Sequence, residues 1–243
     1  MPRYFLEMKI VSIVAQMMTI GLAGGMVVAF LGFSFMQTEA ANKIKTIKLP
    51  PPIVKGKISL EEALKKRRSE RDFQDRALTL KQVSQILWAA QGITEERGFK
   101  RAAPSAGALY PLELYLVVKK VEELEAGVYH YHPTNHTLDL MLRGNYQMAL
   151  AEACLGQMFI AGAPVSVVIA AEYERTTAKY GKRGLRYVHI EVGHVGENIC
   201  LQVVALGLGT VTIGAFRDDE VSRLLSLPGN HKPLYVLPVG WVK

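Results

Sequence analysis

Two short alternating runs, Gly127–His132 and Thr137–Leu142, flank Pro133-Thr134-Asn135-His136, and this arrangement constrains the fold more than any other feature. Alternation with period two gives each strand an apolar and a polar face, and the break between the runs carries turn residues, so the segment reads as a hairpin. The rest of the chain mixes helical and strand patterns. A hairpin in that company breaks the regular rhythm of a doubly wound parallel sheet, and the chain is expected to be α+β. Ser59 with Glu62, and Thr79 with Gln82, are capping-box patterns that open helices toward Arg67 and Gly92. Further helices are expected over Tyr146–Ile160, with Gly156 as a weak point, over Arg183–Leu206, and over Asp218–Leu225. Strands are expected at Leu114–Val118, Val165–Ala171, Thr210–Ile213 and Leu234–Val239.

Three segments are expected: a hydrophobic anchor or signal over 1–45, a linker over 46–58 containing Pro50-Pro51-Pro52, and one folded domain over 59–243. Ile10–Met36 runs for 27 residues without a charge. That exceeds the roughly 20 apolar residues that cross a bilayer and the roughly 7–15 of a signal peptide's apolar region. Arg3 and Lys9 precede the run, whereas Lys43, Lys45, Lys48, Lys55 and Lys57 follow it. The heavier positive side favours a membrane-anchored protein with its domain in the cytoplasm. Export after cleavage near Thr38-Glu39-Ala40 is the alternative.

Charge excludes one class of partner. The net charge is +7, of which four basic against two acidic residues place +2 in the first 45 residues. The remaining excess is small and dispersed, without aromatic residues interleaved among basic runs, so no nucleic-acid surface is expected. It suits an anionic ligand. Cys154 and Cys200 make neither a disulfide framework nor a zinc motif. His130 and His132 share a strand face but lack a third ligand, and no metal is expected. His194 and Glu197 fit helix packing, and Trp88 fits a core position.

Four segments carry the chemistry. Arg67, Arg68, Ser69 and Arg71 put three guanidinium groups and a hydroxyl within five residues, a donor set suited to a phosphate or a flavin edge. Alone, such a run is commonly a solvated face. Pro104, Ser105, Ala106 and Gly107 form a small-residue turn that lets backbone N–H groups approach a flat ligand. Gly207–Gly214 has the spacing G-x-G-x4-G, follows a helix and opens a strand. That context excludes a dinucleotide fingerprint, which follows a strand and opens a helix. It leaves Thr212, Ile213, Gly214 and Ala215 close to a ligand plane. Lys179-Tyr180 precedes the long helix. A desolvated lysine can act as a base and a neighbouring tyrosine can relay a proton, although a charged surface loop has the same appearance.

The segments R-R-S-E-R, L-W-A-A-Q-G-I-T, A-P-S-A-G-A-L-Y-P-L-E-L-Y, Y-H-Y-H-P, K-Y-G-K-R-G-L-R-Y, E-V-G-H-V-G-E-N-I-C-L-Q and G-L-G-T-V-T-I-G-A-F occur in an order that resembles the nitroreductase-like FMN flavoproteins. The similarity is greatest to their SagB/ThcOx-type dehydrogenase branch, and it covers residues 59–240. It implies a mixed sheet flanked by helices, an intertwined homodimer and FMN at the interface. Arg67, Arg68, Ser69 and Arg71 would hold the phosphate and ribityl chain. Pro104–Gly107 would reach a flavin from the other subunit, and Thr212–Ala215 would lie along its ring. Lys179-Tyr180 matches the catalytic pair of the branch that oxidises azoline rings in modified peptides. Two alternatives are an NAD(P)H-dependent nitro or quinone reductase, and a non-catalytic flavin-binding partner subunit. Many members carry a basic residue beyond the last strand that helps clamp the phosphate. Here only Lys243 follows Gly240 closely, so the arginines at 67–71 are expected to carry that role.

Overall fold

The computed structural model describes residues 45–95 and 99–243. The apolar run 10–36, and with it the expected anchor, lies outside the described residues. The strands are β1 (Thr46–Lys48), β2 (Leu112–Val118), β3 (Gly127–His132), β4 (Thr137–Arg143), β5 (Val165–Glu172), β6 (Gly209–Thr210) and β7 (His231–Gly240). The helices are α1 (Leu60–Lys66), α2 (Leu80–Gln91), α3 (Gln147–Ala153), α4 (Phe159–Gly162), α5 (Glu174–Tyr180), α6 (Arg183–Ala205) and α7 (Asp218–Leu224). One seven-stranded sheet runs in the order β1-β4-β3-β2-β5-β7-β6.

Every ladder in the sheet is antiparallel. The mixed character expected of the sheet reduces to isolated parallel bridges, Ser69 with Thr210 and Leu78 with Val121. The hairpin forms as the alternation requires, β3 pairing with β4 across the turn. Both faces of the sheet are covered. Val83, Ile86 and Leu87 of α2, with Val188, Val192, Val195, Ile199 and Val203 of α6, pack on Leu114, Leu116, Val167, Ile169 and Leu237. The opposite face, with Tyr115, Val117, Val168 and Val236, packs against Leu150, Ile160 and Val221 from α3, α4 and α7. Each such side chain contributes about 1.5–3 kcal/mol when fully buried, so the two-sided core is the main term offsetting chain entropy.

Four local differences from the sequence reading have physical causes. The helix expected over 146–160 stops at Ala153, because Leu155 and Gly156 take φ of 58° and 75°. It resumes as the short α4. Residues 174–180 form α5 rather than a loop. Of the strand expected over Thr210–Ile213, only Gly209–Thr210 pairs as a ladder; Ile213 rejoins β7 through a reciprocal bridge to Val236 (2.9 and 3.0 Å). Trp88 is half-buried, its indole Nε1 donating to Ile93 O at 3.1 Å. The flanks of the proline segment are docked. Thr46–Lys48 pairs with β4 and Leu49 is buried. The Gln85 side chain accepts from Ile53 N–H (2.8 Å) and donates to Ile53 O (3.1 Å).

Candidate functional site

The arginine cluster begins where α1 ends. Arg67 caps that helix through its backbone N–H to Ala63 O and turns the chain out of helical geometry. The chain then runs beside β6. Ser69 bridges Thr210, and Glu70 N–H donates to Thr210 O at 2.9 Å. Only glycine permits this approach at position 209, where a Cβ would stand 2.3 Å from Val242 Cγ2 and 2.8 Å from Glu70 Cβ. Arg67, Arg68, Ser69 and Arg71 are all exposed. Arg68 Nε donates to Glu70 at 2.8 Å. Arg67 and Arg71 form no ion pair among the described residues, and the Arg71 guanidinium lies 5.9 Å from the Phe159 ring centre. Two residues beyond Thr210 the chain enters Thr212–Ala215. Ile213 is buried and its N–H serves Val236. Gly214 and Ala215 are exposed, and their N–H groups donate to no acceptor among the described residues. Lys243 Nζ pairs with Asp72 at 2.8 Å, beside the same cluster.

A second group forms around the turn at 104–111. Gly107 takes φ 64° and ψ 17° within a single short 3-10 turn. A Cβ there would stand 2.7 Å from Tyr180 Oη and 3.1 Å from Lys179 Nζ, so both reactive atoms converge on the bare Cα of Gly107. The structure thus brings Lys179 and Tyr180 against Pro104–Gly107 within one chain. Lys179 is exposed and its Nζ lies 5.4 Å from the Tyr180 ring centre. Tyr180 is half-buried and meets Tyr187 edge-on at 5.2 Å.

Ser105 Oγ organises the base of this turn. It accepts from Tyr110 N–H at 2.9 Å and donates to Glu191 Oε2 at 2.6 Å. Glu191 is buried on α6. Burial pushes its carboxyl above the ordinary range, against the bonds from Ser105 and Gln91 and the nearby Arg101 charge. Arg101 donates to Gln91 Oε1 at 3.0 Å and stacks on Tyr110 at 4.3 Å. A cleft of about 280 Å³ opens here, lined by Pro104, Ser105, Ala106, Tyr187, Glu191 and His194 among others.

The histidines of the hairpin bind carboxylates. His130 Nε2 meets Glu113 Oε2 at 2.7 Å, and His132 Nε2 meets Asp139 Oδ2 at 3.0 Å. Glu113, Glu172 and His231 bring their ligand atoms within 4.8 Å of one another, but the Arg175 guanidinium pairs with both carboxylates and fills the place of a cation. Sequence reasoning missed Glu70, Glu191, Arg175 and Glu113. Glu191 and Glu113 had a signal: each is an acidic residue on an otherwise apolar face, of α6 and β2 respectively.

The two groups flank α6. The turn and α5 lie toward its first half, through Tyr187 and Glu191. The arginines and Thr210–Ala215 lie further along it: the Arg67 charge reaches Cys200, and the Tyr235 ring stands against both Gly196 and Gly214.

Comparison with known proteins follows this geometry. Residues 64–241 match the sequence profile of the nitroreductase family. The protein MJ1384 of Methanocaldococcus jannaschii, assigned to the nitroreductases by name only, is 52% identical over 183 residues, covering 75% of this chain and 91% of MJ1384. The microcin B17-processing protein McbC of Escherichia coli is 28% identical over 155 residues, 62% of this chain and 57% of McbC. A crystal structure from Anabaena variabilis, likewise a nitroreductase by name only, superposes with a TM-score of 0.74 at 29% identity. The match covers 83% of this chain, which spans only 42% of that protein.

Proposed function

Because the chain belongs to the nitroreductase family, we propose that it is an FMN-dependent oxidoreductase that removes a proton and a hydride from an azoline-like ring, as the SagB/ThcOx-type resemblance implies. The donor set fits this cofactor. Arg67, Arg71 and Ser69 offer unspent guanidinium and hydroxyl donors for a phosphate, and the N–H groups of the exposed Gly214 and Ala215 have no acceptor among the described residues. FMN, when bound, supplies a two-electron acceptor; the protein supplies position and electrostatics. The resemblance implies a ligand shared between two copies of the chain, with Pro104–Gly107 contributed by the second.

The observation that carries the reading is the convergence of Lys179 Nζ and Tyr180 Oη on Gly107. Hydride exchange with a nicotinamide needs no side-chain base. Azoline oxidation does, because a ring proton must leave with the hydride. Lys179 takes that proton, and the neighbouring Tyr180 relays it. The relative McbC, a microcin B17-processing protein by name, supports a modified peptide as substrate.

The test is Lys179→Ala in anaerobic single turnovers. General-base removal costs roughly 10²- to 10⁴-fold. The expected result is that loss with a thiazoline peptide, with unchanged flavin content. Unimpaired thiazoline oxidation would remove the base from the mechanism. Rapid flavin bleaching by NADPH in wild type and variant alike, with no thiazoline oxidation in either, would favour the nitro or quinone reductase reading.

A further inference from the structure

Helix α5 carries Lys179 and Tyr180, yet little in the helix itself keeps it in place. It has seven residues, no side-chain bond at its N-cap and one buried residue, Thr176. The Thr176 hydroxyl has no hydrogen-bond partner among the described residues. A helix this short is not stable alone. What ties it down is Arg175, one turn before Lys179. Its NH2 group meets Glu113 Oε1 of β2 at 2.6 Å, and its Nε meets Glu172 Oε2 at the end of β5 at 2.5 Å. Its NH1 donates to Tyr110 O, in the turn that contains Gly107, at 3.1 Å. One guanidinium thus joins α5, two strands and the turn.

The carboxylates that receive it are themselves held. Glu113 also bonds His130, whose ring stacks on Tyr115 at 4.7 Å with 15° between planes. Glu172 accepts from Asn230 Nδ2 at 2.9 Å. Tyr115 Oη and His231 Nδ1 are 2.7 Å apart beside them. The Glu113 side chain is only 13% exposed. Burial pushes its carboxyl up, but the His130 bond and the Arg175 charge outweigh this and hold it below the ordinary range. A partly buried guanidinium that donates to three separate acceptors has a fixed geometry that a lysine does not reproduce.

We propose that Arg175 is a positioning residue: it sets where Lys179 and Tyr180 stand against the turn at Gly107 by clamping α5 to the sheet and to Tyr110. The proposal rests on the reading that Lys179 and Tyr180 act on substrate. A role confined to fold stability would lower the melting temperature and leave turnover per folded, flavin-loaded molecule unchanged.

The experiment uses the flavin-loaded protein with Arg175→Met and Arg175→Lys, and Lys179→Ala as control, on a thiazoline peptide. For Arg175→Met, kcat is expected to fall at least tenfold while KM and flavin content stay within twofold; added guanidinium ion restores part of kcat. Arg175→Lys falls between the two. A second readout needs no turnover. In flavin-free protein, acetylation of Lys179 relative to Lys182 is followed by mass spectrometry, and Arg175→Met should change that ratio at least threefold. If Arg175→Met fails to fold, Glu172→Gln, which removes one arm of the clamp, is expected to lower kcat severalfold with KM unchanged. Wild-type kcat and an unchanged labelling ratio in Arg175→Met, or wild-type kcat in Glu172→Gln, overturn the proposal. If Lys179→Ala is also fully active, the reading beneath it fails as well; an inactive Lys179→Ala beside a fully active Arg175→Met sinks the clamp alone.

Discussion

The two ends of the candidate site treat charge in opposite ways. At the arginine cluster, Arg67 and Arg71 are exposed and form no ion pair among the described residues. Around the Gly107 turn and α5, Arg175, Glu113, Glu172 and Glu191 are all committed to partners within the chain. Water satisfies an exposed guanidinium at no cost to the fold, so a cation can stand ready for an incoming anion. A half-buried charge has no such freedom, because an unpaired one costs several kcal/mol. The first end therefore suits an incoming anion, and the second holds the proposed base and its tyrosine still.

The strongest way to break this contrast is to remove the unspent cations. Bonds to charged groups contribute about 1.5–3 kcal/mol each, so Arg67→Ala with Arg71→Ala should weaken FMN binding by roughly 10²- to 10⁴-fold. Flavin fluorescence during titration of the flavin-free protein measures it, and wild-type affinity would place the phosphate elsewhere. Gly107→Ala should act next most strongly, at the other end. It forces alanine into left-handed backbone, costing about 1–2 kcal/mol, and pushes a methyl into Tyr180 Oη. The expected outcome is a melting temperature lower by about 2–8 °C in calorimetry, with lower kcat and a smaller loss of flavin affinity than the arginine pair gives.

A smaller effect concerns pH. The folded Glu191 carboxyl titrates above its unfolded value. Its contribution is complete below the unfolded pKa and is lost as pH rises toward the folded one, because the folded state then binds the extra proton. Glu191→Gln keeps a neutral partner for Ser105. Its melting temperature, relative to wild type, should therefore rise as pH climbs out of the ordinary carboxylate range. Parallel curves between pH 4 and 8 would show that Glu191 does not titrate upward. The smallest effect is expected for Arg68→Ala. Arg68 already pairs with Glu70 and is exposed, and such pairs contribute about 0–1 kcal/mol. FMN affinity should change less than about fivefold on the same scale, which separates it from its neighbours in the titration.

Much of the framework was legible in the chain. Ser59 and Thr79 announce helix starts because capping is local chemistry. The hairpin and α6 announce themselves by period. Helix α5 did not, since Glu-Arg-Thr-Thr-Ala-Lys-Tyr has no apolar stripe and its stability comes from partners far along the chain. Two of the three Arg175 contacts, Glu113 and Tyr110, lie more than sixty positions away. For the same reason the motifs indicated which residue types gather, while the pairing of Lys179 with Gly107 needed coordinates. The break after Ala153 is a backbone event at Leu155 and Gly156, and only the glycine hinted at it.

Three residues, Thr46–Lys48, lie along the open rim of strand β4, bonded through positions 137–139. A bare rim offers its backbone to any passing chain, including copies of itself. Preparations cut at the prolines would carry that rim uncovered and cling to one another, so where the domain is trimmed decides whether it stays dispersed in the tube.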